Sequence, residues 1–270
     1  MRFLISVRPM AKDPAGQTKE REGCAVTERR LSLQPRLARL AELVPRGARL
    51  ADIGTDHGYI PVYLLQAGAI DSAIAADIGE EPLRHARRTA AEFGVAERID
   101  FRLCDGLAAI QPEETDCILI AGMGGETIIS ILEGADWLRG GGHRLLLQPQ
   151  SRQELLRLWL TAHGFRILRE HLVRDKGTLY SILLAEAGEA EPLSAVERFA
   201  GVGLWDDPLY GDYLAWQCGK LRQAAEGLRR AKDAAAAEKA AELEELLAAL
   251  EKRKEEWQHD NGRTDRVVPV

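Results

Sequence analysis

Cysteine and aromatic residues are scarce in this chain of 270 residues, with four cysteines and only 6% Phe, Trp and Tyr together. Cys24, Cys104, Cys117 and Cys218 form no C-x-x-C pair and have no histidine at ligand spacing, so neither a disulfide framework nor a metal site is expected. Long apolar runs are missing as well. The opening stretch from Arg2 to Arg8 is too short for a signal peptide, and no later run approaches the roughly 18 apolar residues of a membrane span. A cytoplasmic protein with no membrane contact is expected. Excess positive charge is also lacking, since the net charge is -6, which argues weakly against a nucleic-acid partner. Two local stretches run the other way: Arg29 to Arg49, and Arg139, Arg144, Arg152, Arg157, Arg166, Arg169, Arg174 and Lys176. Either can track phosphates, and either can be a solvated surface.

What is present, 46% hydrophobic and 29% charged residues, suffices for the core of one large domain or two modest ones. Residues 49 to 58 carry the strongest local signal. Leu50, Ala51 and Ile53 suit a strand buried on both faces, and Gly54 and Gly58 let the following backbone turn tightly and approach a ligand. A second apolar run, Ser72 to Ala76, ends in Asp77, near the spacing of about 20 residues expected for a ribose-binding acid. The dinucleotide pattern G-x-G-x-x-G fails at its second glycine, where Asp56 stands. A carboxylate there repels a pyrophosphate and attracts a cation, which favours the sulfonium and ammonium of S-adenosylmethionine over NAD.

Along the chain, the first 27 residues mix Pro, Gly, Lys and Glu without periodicity and are expected to form a disordered arm. The accompanying hypothesis is that translation starts at or near Val26; peptides from residues 1 to 24 in the native protein would refute it. Leu33, Leu37, Leu40, Ala41 and Val44 predict a leading helix closed by Pro45 and Gly47. Strands are expected near 49–54, 72–77, 98–104, 116–121 and 142–148, alternating with helices near 59–67, 80–93, 126–135 and 151–163. That order implies a parallel sheet covered on both faces. Phe165 to Val173 and Thr178 to Leu184, joined by residues 174–177, can only be an antiparallel hairpin. The expected fold is therefore α/β, a Rossmann-like class I methyltransferase sheet of five parallel strands plus a terminal hairpin. The methyltransferase domain is expected over 28–188, a helical hairpin domain over 189–258 and a flexible tail over 259–270. In the helical part, Leu214, Leu221 and Leu228 lie seven apart, as do Leu243, Leu250 and Trp257. They predict two coiled-coil-like helices joined within Ala231 to Ala241, or one continuous helix because no Gly or Pro marks the turn, packing within the chain rather than on a protein partner.

Three blocks, Ala51-Asp52-Ile53-Gly54-Thr55-Asp56-His57-Gly58-Tyr59, Ile120-Ala121-Gly122-Met123-Gly124-Gly125 and Leu147-Gln148-Pro149, together resemble the bacterial tRNA (adenine-22, N1-position) methyltransferase family. The resemblance spans roughly Leu31 to Trp257. It departs at Gln150, where family members often carry Asn after Gln-Pro. The resemblance implies methyl transfer from S-adenosylmethionine to N1 of adenine 22 in tRNA. It places Asp52, Gly54 and Gly58 around the methionine part of the donor, Asp77 on the ribose hydroxyls, Asp105 and Gly106 at the adenine, and Ile78 and Gly122 among the cofactor contacts. It makes Gly124, Gly125, Gln148 and Pro149 the expected substrate contacts.

Attack by adenine N1 needs little acid-base help, because its lone pair lies in the ring plane and the electrophile is already cationic; placement does most of the work. Asp56 is expected to stabilise positive charge, His57 to orient the base and Met123 to form an adaptable wall. The alternatives are a methyltransferase acting on another nucleic acid or a small molecule, a non-catalytic nucleotide-binding scaffold, and, least favoured, a nicotinamide-dependent oxidoreductase.

Overall fold

Leu50, Ala51, Asp52 and Ile53, each buried, open the sheet as β1 (Leu50–Ile53). The computed structural model describes residues 30–231 and 234–261. The arm expected over 1–27 lies outside the described residues, as does most of the expected tail. Ahead of β1 runs α1 (Pro35–Leu43), with proline in its first turn, where a missing N–H costs nothing. After β1 come α2 (Tyr59–Gln66), β2 (Ala73–Asp77), α3 (Glu80–Glu92), β3 (Ile99–Leu103), β4 (Cys117–Gly124), α4 (Gly125–Glu133), β5 (Arg144–Ser151), α5 (Gln153–Ala162), β6 (Phe165–Asp175) and β7 (Thr178–Ala187).

The seven strands lie in the order β3-β2-β1-β4-β5-β7-β6. β1 to β5 are parallel, and β7 pairs antiparallel with both β5 and β6. The antiparallel end removes the helix and parallel strand with which a nicotinamide-binding sheet would continue. Side-chain alternation divides the core between the two faces. Ala51, Ile53, Ile118, Ile120, Leu145 and Leu147 pack with residues of α4 and α5, while Leu50, Cys117, Leu119 and Leu146 pack with α1 and α2. Because the chain runs outward from β1 to β3 and then returns to β4, a crevice opens beyond the carboxyl ends of β1 and β4.

The hairpin turn is tighter than expected, with strand pairing continuing to Asp175 and Thr178. Beyond β7 lie α6 (Ala195–Ala200), α7 (Tyr210–Arg229) and α8 (Ala234–Asn261). Ser194 and Glu197 form a reciprocal capping box at the start of α6. The expected join within Ala231 to Ala241 narrows to the residues between Arg229 and Ala234, and the second helix continues past the expected boundary at 258 to Asn261. Leu214, Leu221 and Leu250 are buried between α7 and α8, but they share their cluster with Leu172 of β6 and Ala200 of α6. The helical pair is thus docked on the sheet's antiparallel edge.

A buried polar joint fastens it there. Arg157 of α5 donates to Glu170 of β6 through Nε and Nη2 at 2.8 and 2.7 Å, and to the hydroxyl of Tyr213 on α7 at 2.8 Å. Both charged side chains are 0% exposed. Arg157, expected among residues able to track phosphates, is therefore a structural cation. Much of the remaining basic stretch is matched locally, Arg139 by Asp136, Arg166 by Glu186 and Arg174 by Asp212. In the earlier stretch Arg49 bonds Asp116, ahead of the amino end of β1 and away from the crevice. No described helix is long and apolar enough to cross a membrane.

Candidate cofactor and substrate site

At the end of β1 the chain must leave the sheet without covering the crevice. The Gly54 and Thr55 amides both donate to the Ala76 carbonyl, at 2.8 and 3.1 Å, tying this turn to β2. Gly54 has φ +75°, a left-handed conformation that a Cβ would strain, and that Cβ would lie 2.0 Å from the terminal methyl of Met123. Met123 lies across this turn and contributes to two adjoining cavities. The larger, of about 600 Å³, is lined by the segment Leu31–Leu37 and by Asp52, Gly54, Thr55, Asp56, His57, Tyr59, Asp77, Gly122, Met123 and Gln150 among others. The smaller, of about 410 Å³, includes Gly54, Asp77, Ile78, Cys104, Asp105, Gly106 and Met123. Gly54, Asp77 and Met123 belong to both, so these residues mark where one lobe meets the other.

Asp52 is buried on the floor of the larger lobe and accepts a 2.7 Å hydrogen bond from the Thr55 hydroxyl. Burial raises its pKa from 3.8 to about 6; the Thr55 bond opposes that rise and the neighbouring Asp77 adds to it. The neutral acid thus contributes stability that is complete below about pH 4 and disappears as pH rises through about 6. A cationic ligand over Asp52 reverses the preference, because it interacts favourably only with the carboxylate. For a cationic ligand held over Asp52, such as the S-adenosylmethionine that the sequence resemblance implies, affinity should rise about tenfold between about pH 5 and pH 7, with proton release near the midpoint. Calorimetric titrations in buffers of different ionisation enthalpy would measure both quantities, and Asp52→Asn should flatten them; an unchanged pH profile in that variant would remove Asp52 from the donor site.

Asp77, at the end of β2, accepts a 2.8 Å hydrogen bond from the Gly79 amide and keeps a carboxylate edge toward both lobes. Asp105 and Gly106 line the smaller lobe with the exposed Ile78. Gly58 does not line either lobe: it is buried at the start of α2, where its Cβ position lies 3.1 Å from the Ala86 side chain of α3.

The glycine block that sequence places after the fourth strand is its continuation. β4 runs to Gly124, with irregular pairing to β5 at Met123 and Gly124. Only its first half, Gly122 and Met123, faces the cavity. Gly125 is buried, and a Cβ there would lie 2.6 Å from the Arg152 carbonyl oxygen, so this glycine permits a close approach between the α4 start and the end of β5. Gly124 meets Ser151 in the same seam.

Gln148 and Pro149, expected at the substrate, are buried. The Gln148 carbonyl accepts from Arg36 at 2.8 Å, and its amide donates to the Pro149 carbonyl at 3.1 Å. These residues stiffen the end of β5, and it is Gln150, two residues beyond Gln148 on the same strand face, that reaches the cavity. Sequence reading put Arg36 in a basic stretch and Leu33 and Leu37 in a packed helix, and brought none of them to the site. Their helical spacing announced a packed helix and carried no sign that its leading end borders a site.

Asp56 and His57 both line the larger lobe, with Asp56 Oδ2 3.6 Å from His57 Nε2. His57 is the middle ring of a stack, 5.0 Å from Tyr59 and 4.9 Å from His85, with interplanar angles of 10° and 5°. His85 Nε2 in turn lies 3.1 Å from Glu81. Ligand atoms of Asp56, His57 and His85 lie within 4.8 Å of one another. The two stacked imidazole planes are nearly parallel, however, so a cation in line with one ring's lone pair falls outside the other plane. This geometry orients rings rather than chelating an ion.

The surroundings thus offer a cation-attracting acid, a second acid at a neighbouring strand end, an adjoining lobe, and an open face edged by aromatic rings. A methyltransferase domain family model matches residues 33–183. The chain is similar to the tRNA (adenine(22)-N(1))-methyltransferase of Bacillus subtilis, 37% identical over 185 residues that cover 68% of this chain and 76% of that one. It is also similar to the crystal structure of the B. subtilis m1A22 tRNA methyltransferase, with TM-score 0.74 and 31% identity over 82% of this chain and 99% of that one. A Streptococcus pneumoniae structure in complex with S-adenosyl-L-methionine matches with TM-score 0.66 and 35% identity over 78% of this chain and 98% of that one.

Proposed function

The chain belongs to the tRNA (adenine(22)-N(1))-methyltransferase family, and from that premise we propose how its own residues carry the reaction. It is an S-adenosylmethionine-dependent enzyme that methylates N1 of adenine 22 in tRNA. The observation that carries the residue assignments is the pair of lobes meeting at Gly54, Asp77 and Met123, with a buried acid under one of them. The residues fit the donor: Asp52 faces its cationic end, Asp77 its ribose hydroxyls, and Asp105 with Gly106 and Ile78 its adenine. When bound, the donor supplies a methyl group on a sulfonium that departs as a neutral thioether.

Asp56, at the open side of the larger lobe, favours the positive charge that reaches the base during transfer. His57, held between Tyr59 and His85, orients that base. Met123 lies against both ligands and adapts to them. Exposing a base from folded tRNA costs a few kcal/mol. We place the compensating phosphate contacts on arginines near the cavity, among them Arg36 and the exposed Arg152, and on the helical domain. In this reading the enzyme works in the cytoplasm without metal or protein partner.

The test is incubation with S-adenosylmethionine and unmodified tRNA transcripts, followed by mass spectrometry of the nucleosides. N1-methyladenosine should form with adenine at position 22 and be absent when guanine replaces it. Asp56→Ala should reduce turnover at saturating donor and tRNA; undiminished turnover in that variant would leave the charge-stabilising role with no support.

A further inference from the structure

Gln150 is an exposed carboxamide at the carboxyl end of β5, lining the larger lobe opposite Gly122. A Cβ placed on Gly122 would lie 3.7 Å from Gln150 Nε2, an ordinary contact distance, so the carboxamide stands beside the Gly122 backbone. Its support is rigid. Gln148 and Pro149 just before it are buried, Gln148 is clamped by Arg36, and Met123 of β4 pairs with Pro149 while Gly124 pairs with Ser151. The amides of Gln148 and Gln150 thus have opposite uses: one is consumed inside the protein, and the other is presented to the cavity.

We propose that Gln150 is a specificity-determining residue that reads the exocyclic amine of the target adenine through its side-chain carbonyl. The proposal rests on the methyltransferase reading above and adds the residue that recognises the base edge next to N1. During transfer the N1 lone pair forms the new bond to the methyl carbon, the carbon-sulfur electron pair returns to sulfur, and the positive charge passes to the base. No proton leaves in that step. The charge is shared with the exocyclic nitrogen, so its N–H becomes a better donor and a carbonyl acceptor binds it more strongly in the transition state than in the ground state. Guanine presents an oxygen at the same edge, which faces the Gln150 carbonyl as acceptor against acceptor. The stiff strand end fixes where the carboxamide stands; with its carbonyl turned to the base it accepts from the amine, while guanine, whose N1 carries a proton, has no lone pair there to methylate.

The experiment pairs a protein change with a base change. Wild type, Gln150→Ala and Gln150→Asn are assayed on full-length tRNA carrying adenine at position 22 or unsubstituted purine there, which keeps N1 and lacks the amine. Affinity for each tRNA is also measured in the presence of S-adenosylhomocysteine, as is the affinity for that ligand alone. Gln150→Ala should lower kcat on adenine-containing tRNA by roughly 10- to 100-fold, the value of a hydrogen bond to a charged group. Wild type should lose a similar factor on purine-containing tRNA, and the two losses should not add. Gln150→Asn should recover part of the rate. In the binding assay wild type should prefer the adenine-containing tRNA, and Gln150→Ala should lose that preference while its affinity for S-adenosylhomocysteine stays within about twofold. Additive losses, or equal preference for both tRNAs in wild type, would overturn the amine-reading role. A parallel fall in S-adenosylhomocysteine affinity would make Gln150 a donor contact instead and overturn it too. If wild type methylated neither tRNA, the failure would belong to the parent reading.

Discussion

Glu170→Ala is expected to destabilise the protein by about 3–5 kcal/mol, because it strands a buried guanidinium. Arg157 is fully enclosed, and burial works against its charge. Glu170 and the Tyr213 hydroxyl outweigh that penalty and hold the guanidinium charged. Glu170 has a second task, accepting the Val202 amide at 2.8 Å, while Arg157 also donates to the Arg198 carbonyl at 2.5 Å. One substitution therefore leaves a charge and an amide unmatched where α5, β6, α6 and α7 meet. Urea unfolding should show the loss as a lower midpoint. A double substitution, Arg157→Met with Glu170→Leu, should recover much of it, since an apolar pair leaves no charge to solvate. If Glu170→Ala unfolded at the wild-type midpoint, the joint would contribute nothing and the docking of the helices would rest on the Leu172 to Leu250 cluster alone. S-adenosylhomocysteine should still bind to the single variant below its transition, because none of these residues lines either lobe.

The second large effect is expected at Gly54. Alanine there must adopt φ near +75°, which costs about 1–3 kcal/mol, and its methyl group enters the space now held by Met123. Met123 can swing away, but only into one of the two lobes. The fold should survive, since the turn stays tied to β2 through the Ala76 carbonyl. Donor affinity should fall by roughly 100-fold or more, combining backbone strain with obstruction where the lobes meet. Calorimetry with S-adenosylhomocysteine measures it, and circular dichroism checks the fold. Wild-type affinity in a folded Gly54→Ala protein would mean that the donor does not cross this turn.

The parallel sheet and its antiparallel end were legible because local pattern decides them. Runs such as Ser72–Ala76 and Cys117–Ile120 are too short and too apolar for surface helices, and the few residues between Val173 and Thr178 leave only a hairpin. That Asp52, Gly54 and Asp77 would border one cavity was legible for a related reason: each sits at or beside a strand end, and parallel strands bring such ends together. The second half of the glycine block was not legible. Gly122 and Gly125 look alike in sequence, yet one borders the cavity and the other meets the Arg152 carbonyl, since only packing reveals what stands opposite a missing side chain.

The residues alone determined the succession of strands and helices along the chain, an acid where a phosphate-binding glycine would stand, and the pair of long helices. These follow from side-chain chemistry and spacing that act over a few neighbours. Only the tertiary structure decided that Gln148 is spent inside while Gln150 faces the cavity, that His85 of α3 joins His57 of the turn before α2, and that Arg157 neutralises Glu170 instead of meeting phosphate. Each of those outcomes depends on a partner from a separate element, 112 residues away for Arg36 and Gln148 and 56 for Arg157 and Tyr213, and local spacing holds no record of which distant groups will be brought within hydrogen-bonding distance.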